Sequence, residues 1–286
     1  MRPFAYERPE RLDDAIAILA AGSARPLAGG TDLIIRLRDG TAKPDVVVDL
    51  KGIAEIGDGL RVDGDRLVIG GRTVMTDIAA HPVVRRKFTG LAESAAVVGS
   101  VQIRNRATLA GNIGNASPAA DTVPSLLVYD ATVVVRGSDG ERRMAADDVF
   151  VRSGVTTLQP HEVITAIELP LPRGPRGSGH QRRTRRRGHD LASVTLACAI
   201  ADDGTTRIAY GSVGPRPLLR VDQTGVLSDR HRSEADRRAA LDALLADASP
   251  SATSMRAAPD YRLAMLRLLG WRAVETALAR RDAAAA

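Results

Sequence analysis

Two glycine-bearing segments carry the residue types best suited to chemistry. The first is Leu27-Ala28-Gly29-Gly30-Thr31-Asp32-Leu33, set between a short extended piece and an amphipathic run. Glycines let backbone N–H groups approach a ligand closely, the start of a helix favours an anion, and Thr31 adds a hydroxyl donor for a phosphate oxygen. The spacing matches neither the dinucleotide fingerprint nor the Walker P-loop, and a plain tight turn is the competing reading. The second segment runs from Thr108 through Leu109-Ala110-Gly111-Asn112-Ile113-Gly114-Asn115-Ala116-Ser117-Pro118 to Asp121. It offers hydroxyls, amides and small residues, then one carboxylate. That order suits a diphosphate near Thr108, Gly111 and Asn112, and a sugar or ribityl hydroxyl at Asp121. Its competing reading is a polar turn whose asparagines satisfy their own backbone.

Nothing beside these loops suggests general acid–base or nucleophilic catalysis, since Ser117 has no partner in sequence and a triad is recognised by geometry. Phosphate-friendly loops without catalytic groups point to a held cofactor that brings its own chemistry. The one cysteine, Cys198, sits in an apolar run and reads as core; it can form neither an internal disulfide nor an iron–sulfur ligand set. His81, His161, His180, His189 and His231 show no metal-ligand spacing. Net charge is +6, and among 40 basic residues lysine occurs only at Lys43, Lys51 and Lys87. The dense tract Arg182-Arg183-Thr184-Arg185-Arg186-Arg187 lacks the interleaved aromatics of a base-stacking surface, which argues against nucleic-acid binding. No apolar run reaches the roughly 20 residues of a membrane helix, and no secretory signal opens the chain, so a cytoplasmic protein is expected.

The elements that must position the loops follow from periodicity. Leu12, Ala15, Ile16 and Leu19 form a helical face, Arg25–Ala28 a strand, Leu33–Leu37 a helix that Thr31 or Asp32 can cap, and Asp45–Leu50 a strand. A hairpin is predicted at Leu60–Val62 and Leu67–Ile69, helices from Thr76 and over Leu91–Val98, and strands at Ala131–Arg136 and Val163–Leu169. The stretch from Thr108 to Asp121 reads as a loop and Leu171–Gly179 as a Pro/Gly/Arg linker. Strands at Ser193–Ala201 and Arg207–Val213 precede helices at Glu234–Leu245 and Tyr261–Ala279, with Arg280–Ala286 as a frayed tail. With 286 residues, about two domains are expected: 1–175, in subdomains of about 1–55 and 56–175, and 176–286.

The two loops in this order resemble the FAD-binding family of carbon monoxide dehydrogenase medium subunits and xanthine dehydrogenases. The similarity continues through Glu162–Pro170, Arg186, Asp190-Leu191-Ala192 and Tyr261-Arg262. The resemblance implies an α+β protein in which two α/β subdomains clasp FAD, followed by a C-terminal α+β domain with a small antiparallel sheet and helices. It implies that Leu27–Leu33, Thr108, Gly111 and Asn112 hold the phosphates, that Asp121 binds toward the ribityl or ribose part, and that Ile164, with Val98, contacts the ring systems. Arg182 stands where the family has lysine and His180 where an aromatic is common, which puts the flavin surroundings in question. It further implies a chain that works as one subunit. A molybdenum–molybdopterin large subunit and a [2Fe–2S] small subunit would join it, in a dimer of heterotrimers, with electrons passing from molybdenum through iron–sulfur to FAD and an external acceptor. A free-standing FAD-dependent reductase or oxidase and a basic nucleic-acid-binding protein are the alternatives.

Overall fold

The computed structural model describes residues 2–186 and 188–286; Arg187, the end of the arginine tract, lies outside them. The first subdomain comprises β1 (Ala5–Glu7), α1 (Leu12–Ala20), β2 (Ala24–Leu27), α2 (Leu33–Arg38) and β3 (Val46–Asp49). Its three strands are parallel in the order β1-β3-β2. Leu12, Ala15, Ile16 and Leu19 bury the predicted face of α1 against this sheet. The central strand carries Val46-Val47-Val48, as expected of a parallel strand covered on both faces. Neither Thr31 nor Asp32 caps α2: Asp32 occupies the N-cap position without a side-chain hydrogen bond.

The second subdomain starts with the hairpin β4 (Leu60–Asp63) and β5 (Arg66–Gly70). Six short helices follow: α3 (Met75–Ala80), α4 (Pro82–Lys87), α5 (Thr89–Ala96), α6 (Val101–Arg104), α7 (Leu109–Asn115) and α8 (Thr122–Val128). Then come β6 (Thr132–Gly137), β7 (Gly140–Ala145), α9 (Ala146–Val149), the small ribbon β8 (Phe150–Arg152) and β9 (Val155–Thr156), and β10 (Val163–Pro170). The sheet is antiparallel in the order β4-β5-β10-β6-β7. Much of the expected loop at 108–121 is therefore helix. Thr108 caps α7 through Gly111 N–H at 3.0 Å, and Leu109, Ala110 and Ile113 turn into the core. Burial outweighs the low helix propensity of Gly111, Asn112 and Gly114.

The C-terminal domain is a four-stranded antiparallel sheet of β11 (Gly177–Arg183), β12 (Val194–Ile200), β13 (Thr206–Gly211) and β14 (Leu218–Asp222), backed by α10 (Glu234–Leu244) and α11 (Pro259–Ala285). All seven residues of β12 are buried. Val194, Leu196, Cys198 and Ile200 pack on the side of α10 and α11, while Ala197 and Ala199 join the core of the second subdomain. Cys198 is thus a core residue, and burial pushes its thiol well above the usual range.

Two sequence expectations fail here for one reason. The Gly-rich end of the presumed linker is strand, paired with β12 from Gly177 on and pressed by α11, where a Cβ at Gly177 would lie 1.8 Å from the Ala277 carbonyl oxygen. Glycine serves close helix–strand packing there, not slack. The presumed frayed tail is the last part of α11, with Arg280 bonded to Ser178 O at 2.7 Å and to Glu93 Oε1 at 2.5 Å. Among the described residues, no helix is long and apolar enough to cross a membrane, and no group of three or more His, Cys, Asp or Glu is placed to hold a metal.

Candidate functional site

The two loops meet. A Cβ at Gly29 would lie 2.0 Å from the Arg106 carbonyl oxygen, so the first loop lies directly on the backbone that leads into Thr108. A Cβ at Gly111 would come within 3.7 Å of Ala28 Cβ, which closes the contact from the other side. Gly30 has φ +80°, a conformation that turns the chain from β2 into α2 and that a side chain would strain.

This geometry sorts the backbone groups of the first loop. Three of its carbonyls are used: Ala28 O faces Lys51 Nζ at 3.5 Å, Gly30 O accepts from Ile34 N–H at 3.1 Å, and Asp32 O accepts from Arg36 N–H at 3.1 Å. Its donors are not: among the described residues none accepts from the N–H groups of Gly29, Gly30, Thr31 or Asp32. Four adjacent free donors beside the Thr31 hydroxyl suit a multiply charged oxyanion. Leu27 is buried under the loop in a small core with Leu37, and Leu33 packs against that core.

Across the junction, Thr108 is buried and committed to capping α7. Asn112 Oδ1 accepts from the Thr122 hydroxyl at 2.7 Å, which leaves the amide NH2 as the group available to an acceptor. Thr122, a fully buried residue that orients the Asn112 amide, was not singled out from the sequence.

Asp121 enters this neighbourhood paired. Its Oδ2 accepts from Arg182 Nη1 at 2.9 Å; the same guanidinium donates to Val97 O at 2.6 Å and Asp190 O at 2.8 Å. Sequence reasoning named both residues without joining them, since 61 positions separate them. The other carboxylate oxygen, Oδ1, is buried and has no hydrogen-bond partner. His180 Nε2 stands 3.8 Å from it and instead bonds the Thr195 hydroxyl at 3.0 Å. Burial pushes the Asp121 carboxyl up to about 6, against the pull of the Arg182 charge and, more weakly, of the nearby Thr195 hydroxyl, which makes its hydrogen bond to His180 and not to Oδ1. Burial and the same guanidinium hold His180 down to about 3, so its ring is neutral.

A buried acceptor without a donor is costly and marks a place for a ligand hydroxyl or N–H. The donor row, the Asn112 amide and this orphaned oxygen fit a molecule with a diphosphate at one end and hydroxyls beyond it. Of the remaining candidates, Ile164 lies in β10 at a register shift, with its side chain in the main core, and Val98 packs partly buried against the same core. The described arginines of the tract all have internal partners: Arg183 on the Tyr261 hydroxyl, Arg185 on Asp190, and Arg186 on His189 O.

Comparison with known proteins gives a consistent result. A family model described as the FAD binding domain in molybdopterin dehydrogenase matches residues 2–172, and one described as the CO dehydrogenase flavoprotein C-terminal domain matches residues 180–277. The chain is 31% identical over 283 residues to the carbon monoxide dehydrogenase medium chain of Hydrogenophaga pseudoflava, covering 97% of this chain and 98% of that relative. It is 32% identical over 229 residues to the nicotinate dehydrogenase FAD-subunit of Eubacterium barkeri, covering 76% and 77%. A solved structure of carbon monoxide dehydrogenase from Hydrogenophaga pseudoflava, lacking the Mo-pyranopterin moiety of its cofactor, matches with a TM-score of 0.88 at 30% identity, over 98% of this chain and 99% of that one.

Proposed function

The chain belongs to the family of FAD-binding domains of molybdopterin dehydrogenases, and we propose that it is the electron-transfer subunit of a cytoplasmic molybdenum hydroxylase. In this reading it takes electrons from [2Fe–2S] clusters on a small partner subunit and delivers them through FAD to an external acceptor. A molybdenum–molybdopterin large subunit completes a heterotrimer, which pairs into a dimer. The FAD unit spans residues 1–175, and residues 176–286 close the ring-side end of the site through Arg182.

The observation that carries the reading is the donor row Gly29–Asp32 lying against the second loop, with the unpartnered Oδ1 of Asp121 beyond it. The N–H groups of Gly29, Gly30, Thr31 and Asp32, the Thr31 hydroxyl and the Asn112 amide would hold the diphosphate. Asp121 Oδ1 would accept from a ribityl hydroxyl, while Arg182 keeps the carboxylate in place from the opposite side. Bound FAD supplies the electron-accepting chemistry, and the protein's part is to bind, orient and surround it. The relatives above belong to enzymes named for carbon monoxide and for nicotinate. Different substrates on one flavin subunit fit a chain that does not itself choose the substrate.

The test is to isolate the native assembly and follow flavin reduction after adding its substrate. Co-purification with molybdenum and iron–sulfur subunits, with flavin reduction dependent on them, is the expected result. A lone flavoprotein that oxidises a small molecule at full rate would overturn the reading.

A further inference from the structure

Behind the first loop lies a charged cluster outside the cofactor contacts just described. β3 ends at Asp49, a buried carboxylate whose Oδ1 accepts from Lys51 N–H at 3.0 Å and from Lys51 Nζ at 2.6 Å. Its Oδ2 accepts from the Tyr6 hydroxyl on β1. Burial alone would raise the Asp49 carboxyl, but the hydrogen bonds from Lys51 and Tyr6 outweigh it and keep it ionised. The Lys51 carbonyl oxygen is fixed in turn by Arg72 Nη1 at 2.7 Å, a contact from the second subdomain. The backbone of Lys51 is therefore fixed on both sides, its ammonium is paired with Asp49 Oδ1, and the other partner of that ammonium is Ala28 O at 3.5 Å.

That contact bears on the donor row through peptide geometry. No cis peptide occurs among the described residues, and in a planar trans peptide the C=O and N–H point in opposite directions. A cation drawing Ala28 O toward Asp49 therefore aims the Gly29 N–H away from Asp49. It also removes a carbonyl whose dipole would repel a phosphate. Only three of the chain's 40 basic residues are lysine, and this one places a compact ammonium between the Asp49 carboxylate and Ala28 O.

We propose that Lys51, braced by Asp49 and Tyr6, is a positioning residue for the FAD diphosphate, acting by orienting the Ala28–Gly29 peptide. The inference rests on the FAD reading above.

The experiment titrates FAD into the full-length chain stripped of flavin, as wild type, Lys51→Met, Lys51→Arg and the double variant Asp49→Asn/Lys51→Met. Thermal unfolding of each flavin-free protein and the 31P spectrum of the bound diphosphate are recorded alongside. Lys51→Met is expected to weaken FAD by about tenfold, the effect of one charge-assisted contact, and to shift the 31P resonances. Lys51→Arg recovers part of the affinity. The double variant, which leaves no unpaired buried carboxylate, recovers stability but not affinity. Unchanged affinity and unshifted 31P resonances in Lys51→Met, with wild type binding FAD, overturn this inference alone. Recovery of affinity together with stability in the double variant does the same, because it would make the cluster merely structural. A wild-type chain that takes up no FAD overturns the parent reading as well.

Discussion

If Asp121 Oδ1 accepts a ligand hydroxyl, FAD binding must depend on pH in a way the structure specifies. Burial sets the flavin-free Asp121 carboxyl at about 6, and a ligand hydroxyl bonds the ionised form more strongly than the neutral one. The fraction of protein able to bind well is then nearly complete at pH 7.5 and falls to roughly one-eleventh at pH 5, so affinity drops about tenfold, or about 1.4 kcal/mol. His180 does not share this window, since it stays neutral down to about 3. By the same linkage, FAD uptake at pH 6 should release about half a proton, which calorimetry in buffers of different ionisation enthalpy can read. The flavin-free fold should respond with the opposite sign. A carboxyl raised in the folded state contributes stability that is fully present below its unfolded value near 3.8 and lost as pH rises through about 6. Asp121→Asn should bind FAD more weakly by about 1–3 kcal/mol and without the pH slope. A flat wild-type profile, or a slope that survives in Asp121→Asn, would refute the assignment.

Three further perturbations follow from the same geometry. Gly29→Ala places a Cβ 2.0 Å from Arg106 O; the loops must part, so FAD affinity should fall sharply in a protein that still unfolds cooperatively, at a stability cost of about 1–3 kcal/mol. Thr122→Val frees the Asn112 amide from its 2.7 Å anchor and should weaken FAD by about 1 kcal/mol in a titration. Arg280→Ala removes the bonds to Ser178 O and Glu93. As that ion pair is partly exposed, thermal unfolding should register a loss of about 1 kcal/mol or less, with FAD affinity unchanged.

What the sequence disclosed depended on how local the physics was. The glycine pair at 29–30 and the strand and helix around it were legible because turn chemistry and periodicity act over a few residues. The cap of α7 was misread: Thr108 is an N-cap, yet the glycines and asparagines after it argue for a loop, and only the burial of Leu109 and Ile113 decides for helix. Strand β7 went unseen because Gly140–Ala145 opens with Gly, Glu and two arginines and, at the sheet edge, needs no apolar alternation. Gly177 read as a linker because the sequence does not show which backbone presses on it. The pairing of Asp121 with Arg182 and the brace of Tyr6, Asp49 and Lys51 are products of tertiary folding, joining residues 61 and 43 positions apart. For Lys51 a faint signal existed in its rarity among so many arginines.

The most direct test of the central claim is the flavin content of the purified full-length chain, measured by absorbance before and after acid or heat denaturation. The account predicts one FAD per chain, released intact into the supernatant, because the proposed contacts are all non-covalent. A colourless protein that takes up no FAD on titration, or a flavin that stays with the denatured polypeptide, would contradict it.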